Sequence, residues 1–174
     1  MNWTEFLTSE AETTYATAIR LFDKVVPERL GWKPGTGSNW MTVGQLLKHI
    51  SNGCGAGCKG FVTGDWGLPP GQSIDDIPPE EMIPPAEKLP TVTSVNEAMA
   101  LLLEDEELTN RMIREAGEDA LAHRKLAMPW EPDKTYVLGR QLYKMIQHLD
   151  RHKSQLFYYL KLQDIPLNTI DLWG

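Results

Sequence analysis

Apolar residues recur at intervals of three and four along most of the chain, which is the period of an amphipathic helix. The pattern predicts four helices, which run over about residues 4–27, from Thr42 onwards, from Ser94 to Gly117, and over about 135–162. Thr42 with Gln45, and Ser94 with Glu97, have the spacing of capping boxes at helix N-termini. No stretch shows the alternation of a strand. The sequence therefore predicts an all-α fold, a four-helix bundle formed by a single domain over residues 1–174.

Two segments between the helices are less regular. The glycine-rich stretch 52–60 weakens a helix by about 1 kcal/mol per glycine relative to alanine, and Gly53 lies one turn after His49 on the same face. Its missing side chain either leaves room for a ligand, or reflects fraying of the helix or close packing against another helix. Residues 64–93 contain three Pro-Pro pairs, which exclude a helix through the middle. This segment is a lid, a dimer arm or an ordered strap across the bundle, and the tail from Asp164 is too short for a helix of its own.

Composition and charge narrow the range of partners. The chain has 174 residues and a formal net charge of −7, and its basic residues are scattered along the sequence. This distribution argues against a nucleic-acid partner, and no apolar run is long enough to span a bilayer. The N-terminus is acidic and polar and lacks the features of a signal peptide. We therefore expect a cytoplasmic protein that acts on a small molecule.

Three of the four histidines have positions that suit a metal site. His148 and His152 lie one helical turn apart, on or beside the apolar stripe of the last predicted helix, and His49 ends an apolar turn of the second. Burying unpaired imidazoles costs free energy. A bound cation removes that cost because each ring can donate a nitrogen lone pair to it. The alternative is that the three are satisfied core or edge residues, and His123, in a polar stretch, is not expected to take part.

The two cysteines, Cys54 and Cys58, offer a second possible ligand set together with His49. On a continuous helix, however, they would lie about 140° and 180° around the axis from His49, so they would face away from it. Two thiols of a cytosolic protein stay reduced. The simpler interpretation is that they are small buried hydrophobic residues near a helix end.

Other chemical candidates are few. No serine lies in a nucleophile-elbow motif, and no phosphate-binding glycine motif follows a strand pattern, so no catalytic residue is assigned. Trp130, just before the last helix, either lines the mouth of a pocket or fills the core. Gly53 and Trp130 are therefore the two candidates for substrate binding.

Several motifs taken together resemble the DinB/YfiT-like family. They are Trp40, the T-V-x-x-L-L-x-H-I stretch from Thr42 to Ile50, Pro129-Trp130, and H-x-x-x-H-x-x-Q-L from His148 to Leu156. The similarity in length and helix order covers nearly the whole chain. Two features depart from the common pattern: Ser154 lies where a glycine or another small residue often precedes the glutamine, and the proline-rich loop is longer than expected.

The resemblance implies a bundle with up-down-down-up order and a divalent metal held by three histidines, which by position are His49, His148 and His152. It also implies a homodimer. Characterised relatives include metal-dependent transferases and isomerases that act on low-molecular-weight thiols such as bacillithiol or mycothiol, and others are described as hydrolases. We expect zinc or nickel first, with iron, manganese, cobalt and copper as alternatives.

Three histidine ligands leave coordination positions open for water or substrate, as in catalytic metal sites. A metal held in this way lowers the pKa of a bound water or thiol, which then acts as a nucleophile at neutral pH. Together with the resemblance, this chemistry predicts a metal-dependent enzyme of the thiol S-transferase or hydrolase type. The alternative is a non-catalytic, stress-associated metal-binding dimer.

Overall fold

The computed structural model describes residues 2–78, 81–82 and 84–174. Its helices and strands, in chain order, are α1 (Trp3–Phe22), α2 (Val43–Ile50), α3 (Cys54–Thr63), α4 (Val95–His123), β1 (Lys125–Met128), β2 (Glu131–Val137), α5 (Leu138–Leu162) and α6 (Thr169–Trp173). Short 3₁₀ turns lie at Pro27–Arg29, Ile74–Asp76 and Ala86–Lys88. The protein is therefore mostly helical, with one small antiparallel sheet.

The long helices share one hydrophobic core. Helices α4 and α5 each pack against α1 and α3, and α2 packs mainly against α5. The largest fully buried side chains come from all of these helices and include Leu7, Tyr15, Phe22, Leu46, Phe61, Leu102, Ile113 and Leu138. In the part of the chain that the structure describes, no helix combines the length and apolar character that a bilayer crossing requires.

The predicted helix starts are set by local capping. The Thr42 side chain accepts a hydrogen bond from the backbone N–H of Gln45, and the Gln45 side chain accepts one from Thr42, so this capping box is confirmed. Ser94 accepts from the backbone N–H of Glu97. The Glu97 carboxylate, however, accepts from the backbone and hydroxyl of Thr93, at 2.7 and 2.6 Å. The second capping box is thus only half formed, because the Glu97 carboxylate accepts two hydrogen bonds from Thr93 instead.

Two predicted helix ends need correction. Helix α1 ends at Phe22 rather than near Pro27, because the chain tightens into three-residue turns from Leu21 onwards. Helix α4 continues past the predicted stop at Gly117 to His123. Gly117 has φ 72° and ψ 158°, a conformation that is essentially restricted to glycine, and the helix resumes beyond it.

The break at Gly117 has a structural consequence at the opposite end of the chain. The carboxylate of Glu118, the next residue, accepts hydrogen bonds from the backbone N–H groups of Trp3 and Thr4, each at 3.0 Å. These are free donors in the first turn of α1. A residue of α4 therefore caps α1, and the contact fixes where the two helices meet.

The all-α prediction is wrong in one respect, because a β-hairpin precedes α5. Strand β1 pairs antiparallel with β2, and the register shifts between Ala127 and Met128. The last helix consequently begins at Leu138 and not near residue 135. The hairpin is attached to α5 by the Gln141 side chain, which donates to the carbonyl of Leu126 at 2.8 Å.

The tail also differs from the prediction, since Thr169–Trp173 forms a short helix. Asn168 and Asp171 make a capping box at its start. The buried ammonium of Lys153 on α5 donates to the carbonyl of Leu172 at 2.7 Å, near the end of the short helix. Tertiary contact with α5 thus stabilises a helix that would be too short alone.

The long proline-rich segment is tied to the body of the protein in its second half. The backbone N–H of Ala86 donates to the side chain of Asn39 at 2.8 Å. The Gln45 side-chain amide donates to the carbonyls of Ala86 and Leu89, at 2.8 and 2.9 Å. Of the predicted loop, residues 79, 80 and 83 lie outside the described residues. The described part favours an ordered strap, and we refer to residues 84–92 as the strap.

Candidate metal centre

The three predicted histidines come together. His49 lies near the C-terminal end of α2, and His148 and His152 lie one turn apart on α5. One ring nitrogen from each residue lies within 4.8 Å of the other two. The Nε2 atoms of His49 and His148 are 3.1 Å apart. Three nitrogen donors that converge in this way form a group that could hold a metal ion.

The ionisation of the three rings suits this role. Burial, together with the nearby His152 ring, lowers the pKa of His49 to about 4. Burial and the neighbouring His152, His49 and Arg151 lower the pKa of His148 to about 3. Burial also lowers the pKa of His152. All three imidazoles are therefore neutral near pH 7, and each keeps a lone pair available for a cation.

A hydrogen-bonded chain orients His152. Its Nδ1 lies 3.0 Å from the side-chain oxygen of Gln155, to which it donates. The Gln155 amide donates in turn to the Tyr159 hydroxyl at 3.1 Å, and that hydroxyl donates to the carbonyl of Met41 at 3.2 Å. Because Nδ1 carries the proton, Nε2 is the nitrogen free to coordinate, and the glutamine fixes the ring's orientation.

The break between α2 and α3 is held by a residue from a third helix. Asp105 of α4 is almost fully buried, and its Oδ1 accepts from the backbone N–H of Gly55 at 2.9 Å, in the first turn of α3. Its Oδ2 accepts from the Tyr15 hydroxyl at 2.6 Å. Burial raises the pKa of the Asp105 carboxyl, although these hydrogen bonds oppose the shift. Asp105 thus caps α3 just beyond His49 and sets where the chain turns.

Gly53 lies in that turn, against the ring of His148. A Cβ atom on Gly53 would lie 2.9 Å from the backbone oxygen of His49 and 3.3 Å from Cε1 of His148. The absent side chain therefore lets the imidazole of His148 approach the end of α2. Gly53 is not among the described residues that line the cavity beside the histidines.

The other glycines of the 52–60 stretch support the close-packing interpretation. A Cβ on Gly55 would overlap Asp105, one on Gly57 would overlap Met145, and one on Gly60 would overlap Trp66. Each glycine is thus a position where another element meets the backbone of α3. The stretch is a second helix packed tightly on its neighbours rather than a frayed end of α2.

A cavity of about 620 Å³ opens beside the three histidines. This volume lies within the range of about 300–1,000 Å³ that small-molecule sites occupy. Its described walls come from the loop before α2, the end of α2, Met82, the strap, the β-hairpin and α5. The lining residues are Asn39, Met41, His49, Met82, Pro84, Ala86, Leu89, Met128, Trp130, Lys144, Met145, Gln147, His148, Arg151 and His152.

Trp130 is placed in the turn of the β-hairpin and lines this cavity. Its ring also packs in edge-to-face geometry against Phe61, at a centroid distance of 6.1 Å, and against Trp66, at 6.2 Å. Trp130 therefore lines the pocket and also packs against other aromatic rings, so both sequence-based alternatives apply to it.

The remaining candidates lie away from the group. Cys54 and Cys58 are buried in the core as free thiols, as the simpler interpretation predicted, and neither belongs to the histidine group. The continuous helix assumed for their angles around the axis does not form, because α2 and α3 are separate helices. His123 is exposed at the end of α4, where its Nδ1 lies 3.2 Å from a carboxylate oxygen of Asp119.

Some residues of the site were not singled out from the sequence. Gln155 was noted only as part of the family-like motif, although its position three residues after His152 is a signal for a side-chain contact along a helix. Lys144, Gln147 and Arg151 also line the cavity. The available signal was their spacing: Lys144 and Arg151 lie four residues before and three after His148, and Gln147 lies three and four residues from those two, which places all of them on one side of α5.

A comparison with protein families agrees with this geometry. The sequence model of the DinB superfamily matches residues 10–156. The chain belongs to the DinB superfamily. The match includes all three histidines and Gln155. Comparison with curated proteins gave no match, and comparison with solved structures gave none either.

Proposed function

We propose that His49, His148 and His152 bind one divalent metal ion and that this DinB superfamily protein is a metal-dependent enzyme. The observation that carries the proposal is the convergence of three neutral ring nitrogens, all within 4.8 Å of one another, at the wall of a cavity of about 620 Å³. A structural role alone would not require an adjacent cavity of substrate size.

The donor set narrows the choice of metal without fixing it. Three imidazole nitrogens suit zinc or nickel, and iron, cobalt, copper or manganese are alternatives. When bound, such an ion supplies Lewis acidity, which lowers the pKa of a thiol or water molecule and makes it a nucleophile at neutral pH. The proposed reaction class is therefore transfer to a low-molecular-weight thiol, or hydrolysis.

The protein's own residues prepare the site. Gln155 holds the proton of His152 on Nδ1, which directs Nε2 towards the other two rings. Gly53 gives the His148 ring its place against the end of α2. Trp130 forms part of an apolar wall that would position a substrate and exclude water. Gly53 would thus affect the substrate cavity only by positioning His148, whereas Trp130 would contact the substrate.

The first experiment is elemental analysis of tag-free protein. We expect about one metal ion per chain in the wild type and none in the triple variant His49→Ala/His148→Ala/His152→Ala. His123→Ala is the matched control, because it removes the fourth histidine, which is exposed and lies outside the group. Full metal content in the triple variant, or none in the wild type after supply of zinc, nickel and manganese, would contradict the proposal.

A cobalt-substituted sample distinguishes the enzyme from the non-catalytic, stress-associated metal-binding protein. If a thiol reaches the ion, titration with a small thiol shifts the visible spectrum of bound cobalt. An unchanged spectrum, together with one bound ion and no turnover, would favour the non-catalytic alternative.

We also propose that the fold is a single-domain four-helix bundle with up-down-down-up order, in which α2 and α3 together act as one interrupted helix. The packing of α4 and α5 against both α1 and α3 supports this arrangement. The resemblance to family members supports a homodimer. Sedimentation should then give twice the 19.7 kDa chain mass, and a monomer at micromolar concentration would contradict the dimer.

A further inference from the structure

The face of α5 that carries two of the histidines also carries two cations. Lys144, Gln147, His148, Arg151 and His152 all line the cavity. Their positions follow steps of three and four residues, so a single side of the helix presents them. The polar groups beside the histidines are therefore part of the cavity wall, and Arg151 among them is also exposed to solvent.

The charge of this wall contrasts with that of the whole protein. The chain has a net charge of −7, yet no aspartate or glutamate occurs among the described residues that line the cavity. The Lys144 ammonium is partly compensated, since it lies 3.5 Å from a Glu131 carboxylate oxygen and 4.0 Å from the Tyr136 ring centroid.

Arg151 differs from Lys144 in this respect. Within the described ranges, no carboxylate lies within salt-bridge distance of its guanidinium. A guanidinium presents paired donors that match the two oxygens of a carboxylate. One uncompensated cation and one partly compensated cation match a monoanion better than a doubly charged phosphate group.

Most of the remaining wall is apolar and deformable. Four of the seven methionines of the chain, Met41, Met82, Met128 and Met145, line the cavity together with Trp130. Methionine side chains are flexible and polarisable, and they adapt to irregular apolar ligands. A ligand that binds both the cationic part and the apolar part of the wall needs an apolar body and one anionic end.

We propose that the substrate of this site is an organic monocarboxylate, whose carboxylate binds Arg151 with help from Lys144 and whose apolar body packs against the methionines and Trp130. This proposal rests on the proposed function, because it places the reacting part of the substrate beside His148 and His152. The binding of the anion itself depends on residues other than the three histidines.

The test compares octanoate with octanamide, which has the same chain and no charge. Isothermal titration is performed on protein freed of metal with a chelator, so that a carboxylate cannot bind through an ion. We expect octanoate to bind at least tenfold more tightly than octanamide. Arg151→Gln should abolish this preference, and Lys144→Gln should reduce it.

Arg114→Gln is the control, because Arg114 is an exposed arginine on α4 outside the cavity, and it should retain the wild-type preference. Equal binding of the two compounds, no measurable binding of octanoate, or a preference that survives Arg151→Gln would overturn the proposal. Metal content is measured on separate untreated samples. A preference for octanoate in a protein that binds no metal would refute only the proposed function, and bound metal without the preference would refute only this inference.

Discussion

At the scale of single residues, the geometry of the site depends on a glycine as well as on the histidine side chains. Gly53 is the clearest case, since the space of its missing side chain is bounded by the backbone oxygen of His49 and the ring of His148. The contact at 2.9 Å would be with backbone, which cannot move aside as a flexible side chain can. Any side chain at Gly53 must therefore displace the His148 ring or the end of α2.

We accordingly predict that Gly53→Ala weakens zinc binding by roughly tenfold, the size of effect that follows when a metal ligand is poorly oriented. The measurement is competition against a chromophoric chelator, with circular dichroism to verify that the helices remain. Gly31→Ala is the matched control, because a Cβ there meets no atom within 4 Å. Wild-type affinity in Gly53→Ala would show that the close approach does not position His148.

Some residues of the site could be predicted from the sequence, and others could not. His49, His148 and His152 were predictable, because helical spacing relates two of them and a family-like motif adds the third. Arg151 was not, since a polar residue on an amphipathic helix is usually solvated. Only the tertiary packing of the strap and the hairpin shows that this side of α5 faces a cavity.

At the scale of elements, Asp105 connects three helices. It accepts from the first turn of α3 through Gly55 and from the Tyr15 hydroxyl of α1, while belonging to α4. Capping within α3 itself is not possible, because the N-cap residue, Gly53, has no side chain. Asp105, which belongs to α4, therefore caps α3 in place of a residue at the start of α3 itself.

We predict that Asp105→Ala lowers the free energy of unfolding by about 2–4 kcal/mol, because it removes a helix cap and takes away the carboxylate acceptor of the buried Tyr15 hydroxyl, which keeps only Thr109 as a partner. Urea unfolding measures the change. Asp105→Asn keeps one acceptor oxygen and should lose less, and it remains informative if the alanine variant does not fold. Asp119→Ala, on the exposed side of the same helix, should stay within about 0.5 kcal/mol of the wild type. A loss no larger in Asp105→Ala than in Asp119→Ala would contradict the cap.

The elements themselves were predictable to different degrees. The helices that contain Phe22, Leu46, Leu102 and Leu149 follow from apolar periodicity, which is a local signal. The β-hairpin does not, because β1 has only four residues and β2 contains Pro132, and proline is depleted in strands. The hairpin instead relies on contacts such as the bond from Gln141 to the carbonyl of Leu126, and these form only when α5 is in place.

At the scale of the whole molecule, the three histidines join segments that are about one hundred residues apart in sequence, since His49 and His148 are separated by 99 positions. The unfolded chain does not hold these nitrogens together. An ion that binds them therefore favours the folded state, by an amount that grows with the ratio of its concentration to its dissociation constant.

We predict that zinc at one hundred times its dissociation constant stabilises the protein by about 2.7 kcal/mol. For a chain of this length, that corresponds to a rise in Tm of roughly 5–10 °C. Thermal unfolding followed by circular dichroism, with zinc and then with excess chelator, measures the difference. The triple histidine variant should show no rise, and magnesium, which prefers oxygen ligands, should have no effect on the wild type. A similar rise in the variant would mean that zinc acts elsewhere on the chain, because only the three-histidine site distinguishes the two proteins.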